Sequence, residues 1–285
     1  MTWFVLALIT AFSLSTADAL SKKALHSTDD IVIAWVREGY ALPFLALSFF
    51  FVEVPFLDST FYLTVALLLP LEITALILYV KAIRVSPLSL TVPFMALSPV
   101  FIIFIAFVFL GERPSVGGVA GVLLITCGAY LLNASASREG LLGPFRAIKN
   151  EKGSVLMIIV AFIYSITSTL GKVAVQHSSP VFFGFFYPFV LTVIMTAIVW
   201  SRGKTAMIVS RPAAFLKIGF LTAVMVISHF IALNMTQVAY LISVKRTSLL
   251  WSVIYGKFLF DEAHIRERLL GSIIMVVGVV LIVFS

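Results

Sequence analysis

Ten uninterrupted apolar stretches divide the chain, at about residues 2–21, 31–51, 60–80, 87–110, 115–133, 153–172, 180–200, 213–233, 236–258 and 267–284. Each is about twenty residues long, the length an α-helix needs to cross the hydrocarbon core of a bilayer. Apolar residues run on within them instead of alternating, so the two-residue period of a membrane-spanning barrel is missing. Lipid offers no partner to a backbone N–H or C=O, and helices are then the form such segments take. Composition excludes a water-soluble fold: 61% of the 285 residues are hydrophobic, 12% are charged and the mean hydropathy is +1.12. The expected fold is an all-α integral membrane protein of ten transmembrane helices. Residues 1–20 contain a small-residue run, Thr16-Ala17-Asp18-Ala19, but no Lys or Arg precedes the apolar stretch, so they are read as the first span and not as a cleaved leader.

Sliding the sequence against itself by 150 positions aligns Leu20 with Leu170, Ala24 with Ala174, Glu112 with Glu262, Gly121 with Gly271 and Gly128 with Gly278. The chain therefore reads as two five-helix repeats, residues 1–133 and 153–285, joined by the polar segment 134–152. An odd number of spans per repeat turns the second half upside down relative to the first. The basic residues agree with this. The connections after spans 1, 3, 5, 7 and 9 hold fifteen Lys and Arg, and those after spans 2, 4, 6 and 8 hold two, Arg113 and Lys172. By the positive-inside rule the first set faces the cytoplasm and both termini lie outside, in a membrane of the bacterial inner type. The net charge of +7 is thus a topology signal, and no nucleic-acid partner is implied.

The run Ala82 to Ser89, then Leu97-Ser98-Pro99-Val100, Phe109 to Pro114 and Gly121 to Gly128 resembles the EamA-type repeat of the drug/metabolite transporter superfamily, and Asn234 to Gly278 resembles a second copy. The resemblance covers essentially the whole chain. It implies a ten-helix transporter with a central cavity lined mainly by helices 1, 3, 4, 6, 8 and 9. Ser243-Val244-Lys245-Arg246 is similar to the Lys-Arg pair with which plastid-type phosphate translocators hold a substrate phosphate. Those relatives also carry a lysine in helix 4, where this chain has Met95.

A cation within a span is costly unless it is paired or hydrated, which makes Lys245 and Arg246 the first candidates for substrate binding. The guanidinium presents a planar fork to a carboxylate or phosphate, and the ammonium adds a point charge. The alternative is that both snorkel to the surface. Arg37 is a second candidate, with packing against a carboxylate as its alternative, and Tyr79 and His229 are further substrate-binding candidates. Glu72, Asp18 and Glu38 are candidates for carrying a coupling proton or for balancing the cations. Trp35, Tyr164, Tyr187, Trp251 and Tyr255 could stack on a ligand or simply pack. Glu112 and Glu262 follow spans 4 and 9 at equivalent points and are read as structural.

Cys127 stands alone, so no intramolecular disulfide or thiolate cluster is available. The sequence has no Walker loop, no His-Glu-x-x-His helix and no Gly-x-Ser-x-Gly elbow, so neither ATP-driven pumping nor hydrolysis by this chain is supported, and no cofactor, catalytic residue or metal site is expected. The function expected is secondary transport of a small organic anion, phosphorylated, phosphonate or carboxylate, by alternating access and coupled to protons or to a counter-substrate. An exporter of amino acids or amphipathic drugs is the competing reading.

Overall fold

The computed structural model describes residues 2–49, 54–98, 100–101, 115–132, 143–236 and 238–284. Every regular element among them is a helix: α1 (Thr2–Ala24), α2 (Asp30–Gly39), α3 (Leu42–Phe49), α4 (Ser59–Val85), α5 (Leu88–Thr91) running into a 3-10 segment (Val92–Leu97), α6 (Val116–Leu131), α7 (Gly143–Asn150), α8 (Lys152–Gln176), α9 (Pro180–Ser201), α10 (Pro212–Met235), α11 (Val238–Lys245), α12 (Ser248–Phe260) and α13 (Ile265–Val283), with a short 3-10 turn at Thr205–Val209. Five of these, α1, α4, α8, α9 and α10, are each long and apolar enough to cross a membrane.

Side-chain caps start several helices. Asp29 accepts the Ile31 N–H at 3.0 Å, Asp58 that of Phe61 at 2.9 Å, Ser115 that of Gly118 at 2.9 Å and Ser179 that of Phe182 at 3.2 Å.

Two of the apolar stretches are not single helices. The one at 31–51 breaks at Tyr40–Ala41, because Pro43 has no N–H to give the Gly39 carbonyl one turn back and a new helix starts from the Ala41 carbonyl. The one at 236–258 breaks at Arg246–Thr247. There the Val244 carbonyl accepts both the N–H and the hydroxyl of Thr247, at 3.0 and 2.8 Å, and the chain tightens to three-residue hydrogen bonds. The 3-10 segment at Val92–Leu97 ends 150 residues before Thr247, so the two stretches are irregular at matching points.

Packing exchanges partners between the halves. Helix α1 packs chiefly on α10, α4 on α8, and α6 on α13. The α6–α13 pair touches backbone to backbone: a Cβ built on Gly128 would lie 2.6 Å from the Gly271 oxygen, and one on Gly278 would lie 2.7 Å from the Gly121 oxygen. Hydrogen bonds also repeat at the 150-residue interval. Lys22 Nζ donates to the carbonyls of Ile83 and Ser86 at 3.2 and 2.5 Å, and Lys172 Nζ to those of Leu233 and Thr236 at 2.5 and 3.4 Å.

The connections rich in Lys and Arg meet at one end of the bundle. Lys204 pairs with Asp29 at 2.5 Å, Arg84 with Asp30 at 3.5 Å, and Ser86 donates to Glu151. Glu262 is the hub there. It accepts the N–H groups of Leu88 and Ser89 at 2.7 and 2.9 Å, capping α5 from the other half, and lies 3.5 Å from Lys22 and 3.4 Å from Arg268. At the opposite end His177 Nδ1 meets Asp58 at 2.7 Å. The Phe61 N–H and His177 hold the Asp58 carboxyl below the usual carboxylate range.

Replacing Glu262 by alanine leaves the first two N–H groups of α5 without a side-chain acceptor and two cations without their anion. Thermal unfolding of the purified protein is expected to show a loss of about 2 kcal/mol, only partly restored by glutamine, which offers one acceptor oxygen for the two N–H groups and no charge for the cations. An unchanged melting temperature would contradict the hub assignment. Its counterpart Glu112 lies outside the described residues.

Candidate functional site

A cavity of about 170 Å³ lies between the halves. Its walls come from the middle of α1, the last turn of α2, the centre of α4, the 3-10 segment after α5, and α8, α9, α10 and α11 with the break that follows. Leu68, Leu76, Phe183, Leu191, Val226 and Leu233 supply much of its apolar surface.

All the residues singled out for binding or coupling line this cavity except Asp18, which is wholly buried just behind the wall. Asp18 closes a trio. Arg37 Nη1 donates to one carboxylate oxygen at 2.6 Å, and the Tyr79 hydroxyl donates to the other at 2.5 Å. The guanidinium also lies 5.5 Å from the centre of the Tyr79 ring. Arg37 and Tyr79 therefore reach the cavity with their polar ends already engaged, and the packing alternative for Arg37 is visible as this pair.

Lys245 and Arg246 stand at the helix break. Arg246 is 4% exposed; one of its terminal nitrogens donates to Ser98 from the other half, and its Nε has no hydrogen-bond partner among the described residues. Ser98 in turn donates to the Met95 carbonyl at 3.0 Å, which fixes its hydroxyl under the guanidinium. Lys245, partly buried, makes no ion pair or hydrogen bond among the described residues. Glu72 and Asp18 lie within its electrostatic reach. Thr167 and Tyr187 flank the Glu72 carboxyl, and Glu38, next to Arg37 on α2, lies within electrostatic reach of Glu72. His229 presents a buried Nδ1 without a partner and packs edge-on against Phe230. With Asp18 counted, three acidic and three basic side chains surround the space.

Of the aromatic candidates, Tyr79, Tyr164 and Tyr187 line the cavity. The others pack outside it: Trp35 donates to Thr196 at 2.7 Å, Tyr255 bonds Thr16 at 2.8 Å, and Trp251 meets the Phe12 ring. Sequence reasoning passed over Thr167 and Ser168, although the hydroxyl-rich run Tyr164-Ser165-Ile166-Thr167-Ser168-Thr169 inside an apolar span marks a polar face. Among the described residues no cluster of His, Cys, Asp or Glu is arranged to hold a metal ion.

Helical in every regular element among its described residues, with five helices long and apolar enough to span a membrane and a cavity of mixed charged and apolar lining, the chain has the architecture of a multi-pass membrane protein. The sequence profile of the EamA-like transporter family matches residues 1–134 and 151–284, and the chain belongs to that family. Comparison with curated proteins found no match. Eighteen chains of solved structures match the fold. One of them, described only as "Crystal structure of protein", superposes with a TM-score of 0.66 at 14% identity, over 98% of this chain and 94% of the other.

Proposed function

We propose that this chain is a secondary transporter of a small organic anion, working by alternating access of two inverted five-helix halves around the cavity. The observation that carries the reading is the cation pair at the α11–α12 break: Arg246 buried with a free Nε, and Lys245 beside it without an ion pair among the described residues. Charge held in this way is stabilised by an anionic ligand, since a buried cation without a close partner is expensive. Glu72, within reach of Lys245, balances the charge between substrate visits and is the candidate for coupling; Asp18 balances Arg37.

In this reading the ten spans fall into residues 1–133 and 153–285, with 134–152 as the connection. The basic end of the bundle faces the cytoplasm of a cell with an inner membrane, which places the termini outside. The carboxylates Glu38 and Glu72 on the cavity wall favour, as the second reading, a substrate that also carries a cationic group, such as an amino acid or an amphipathic drug.

The test is counterflow in proteoliposomes loaded with organic phosphates, phosphonates, carboxylates, amino acids or cationic drugs. Lys245→Ala and Arg246→Ala are each expected to lower anion-dependent exchange about 100-fold, the equivalent of roughly 3 kcal/mol, while Arg84→Ala at the surface leaves it unchanged. Equal exchange in all three variants would rule out the cation pair as the site, and preference for cations or zwitterions that survives Arg246→Ala would favour the second reading.

A further inference from the structure

The two halves build the same trio of positions and fill them differently. Asp18, Arg37 and Tyr79 come from α1, α2 and α4; the residues 150 positions later are Ser168, Tyr187 and His229, from α8, α9 and α10. The matching bonds of Lys22 and Lys172 show that α1 with α4 and α8 with α10 pack in the same register, which gives Asp18 with Tyr79 and Ser168 with His229 corresponding places; Arg37 and Tyr187 correspond by sequence position.

In the first half a side-chain carboxylate joins the other two members, one oxygen to each donor. In the second half no carboxylate side chain stands at that position. The Ser168 hydroxyl turns back to the Tyr164 carbonyl at 2.6 Å. The other two members are left with enclosed polar atoms: His229 Nδ1 has no hydrogen-bond partner among the described residues, and the Tyr187 hydroxyl, in a residue 8% exposed, has the Glu72 carboxyl beside it but outside hydrogen-bonding geometry. Both residues line the cavity. Buried polar groups of this kind carry a cost of desolvation that a ligand atom can relieve. Lys245 and Arg246 lie within electrostatic reach of His229 and favour negative charge there, while the Glu72 carboxyl beside Tyr187 opposes it.

We propose that Ser168, Tyr187 and His229 form a carboxylate subsite, in which the Tyr187 O–H and the His229 Nδ1–H each donate to one oxygen of the substrate's carboxylate, as Tyr79 and Arg37 do to Asp18. The inference rests on the anion-transporter reading and narrows it from anions in general to small carboxylates.

The experiment is the thermal stability of the purified full-length protein with alanine, succinate or benzoate, set against inorganic phosphate and methylphosphonate; a ligand that binds only the folded state raises the melting temperature. At least one carboxylate is expected to stabilise the protein. Tyr187→Phe is expected to weaken that binding about tenfold. Ser168→Asp supplies a resident carboxylate and is expected to abolish the shift while raising the melting temperature of the ligand-free protein; should that variant not fold, Tyr187→Phe decides alone. Carboxylates that stabilise both variants as well as they do the parent overturn the subsite. So does stabilisation by phosphate or methylphosphonate only, which, if lost in Arg246→Ala, leaves the anion-transporter reading standing. No shift with any of the five compounds defeats that reading and this inference together.

Discussion

Replacing Asp18 by alanine is expected to destabilise the protein by about 3–5 kcal/mol, because it removes one member of a buried ion pair and leaves the other charge uncompensated. Arg37 is 4% exposed and pairs with Asp18 at 2.6 Å, and no other acid pairs with it among the described residues. The Tyr79 hydroxyl loses its acceptor in the same step. Arg37→Ala should cost a similar amount for the reciprocal reason. The two losses should not add. With both charges gone neither member is left behind as an uncompensated ion, so the double variant should be little worse than either single one, and a coupling energy of a few kcal/mol should emerge from the cycle. Unfolding of the purified variants in micelles, followed by the helical circular dichroism signal, measures all four corners. Additive losses would show that the pair does not act as a unit.

The second large effect is expected where α6 crosses α13. A Cβ on Gly128 would lie 2.5 Å from Met275 Cγ and 2.6 Å from the Gly271 oxygen, and one on Gly271 would lie 2.7 Å from the Gly128 oxygen. The obstacle in each case includes backbone, which cannot rotate away, so the helices must separate and lose the close contact on which association within lipid depends. Gly128→Val and Gly271→Val are each expected to cost about 2–4 kcal/mol. Gly171 supplies the contrast. Nothing lies within 4 Å of a Cβ built there, and alanine in mid-helix should be neutral or gain up to about 1 kcal/mol. A Gly171→Ala variant as damaged as Gly128→Val would mean that glycine content, not close approach, governs stability.

These features were unequally legible. Apolar length located α1, α4, α8, α9 and α10, since backbone satisfaction in lipid leaves little freedom, and the pairs Gly121/Gly271 and Gly128/Gly278 that suggested two repeats turn out to be contact points of α6 and α13. Loop charge foretold which connections share one end of the bundle. The helix breaks were harder. Pro43 marked the first, whereas the second depends on Thr247 competing for a carbonyl within an otherwise unbroken apolar run. Candidate charges were recognised because any charge in a span is conspicuous, but their pairing was not. Asp18 lies 19 residues from Arg37 and 61 from Tyr79, and only the rotation of three helices about their axes makes them neighbours. The hydroxyl-bearing residues Thr167 and Ser168 were missed because, singly, they cost little in a span and draw no attention.

Joining the two halves in one polypeptide has an evolutionary corollary. An assembly of two identical half-chains would be forced to write every residue twice, so a cation at 245 would require a cation at 95 and an acid at 72 would require one at 222. Here Asp18, Arg37, Glu38, Glu72, Lys245 and Arg246 have as their counterparts Ser168, Tyr187, Pro188, Thr222, Met95 and Ala96. None of these six charges is mirrored, whereas Lys22 with Lys172 and Glu112 with Glu262 are. Two halves written in one polypeptide are free to differ at each position, as Asp18 and Ser168 do.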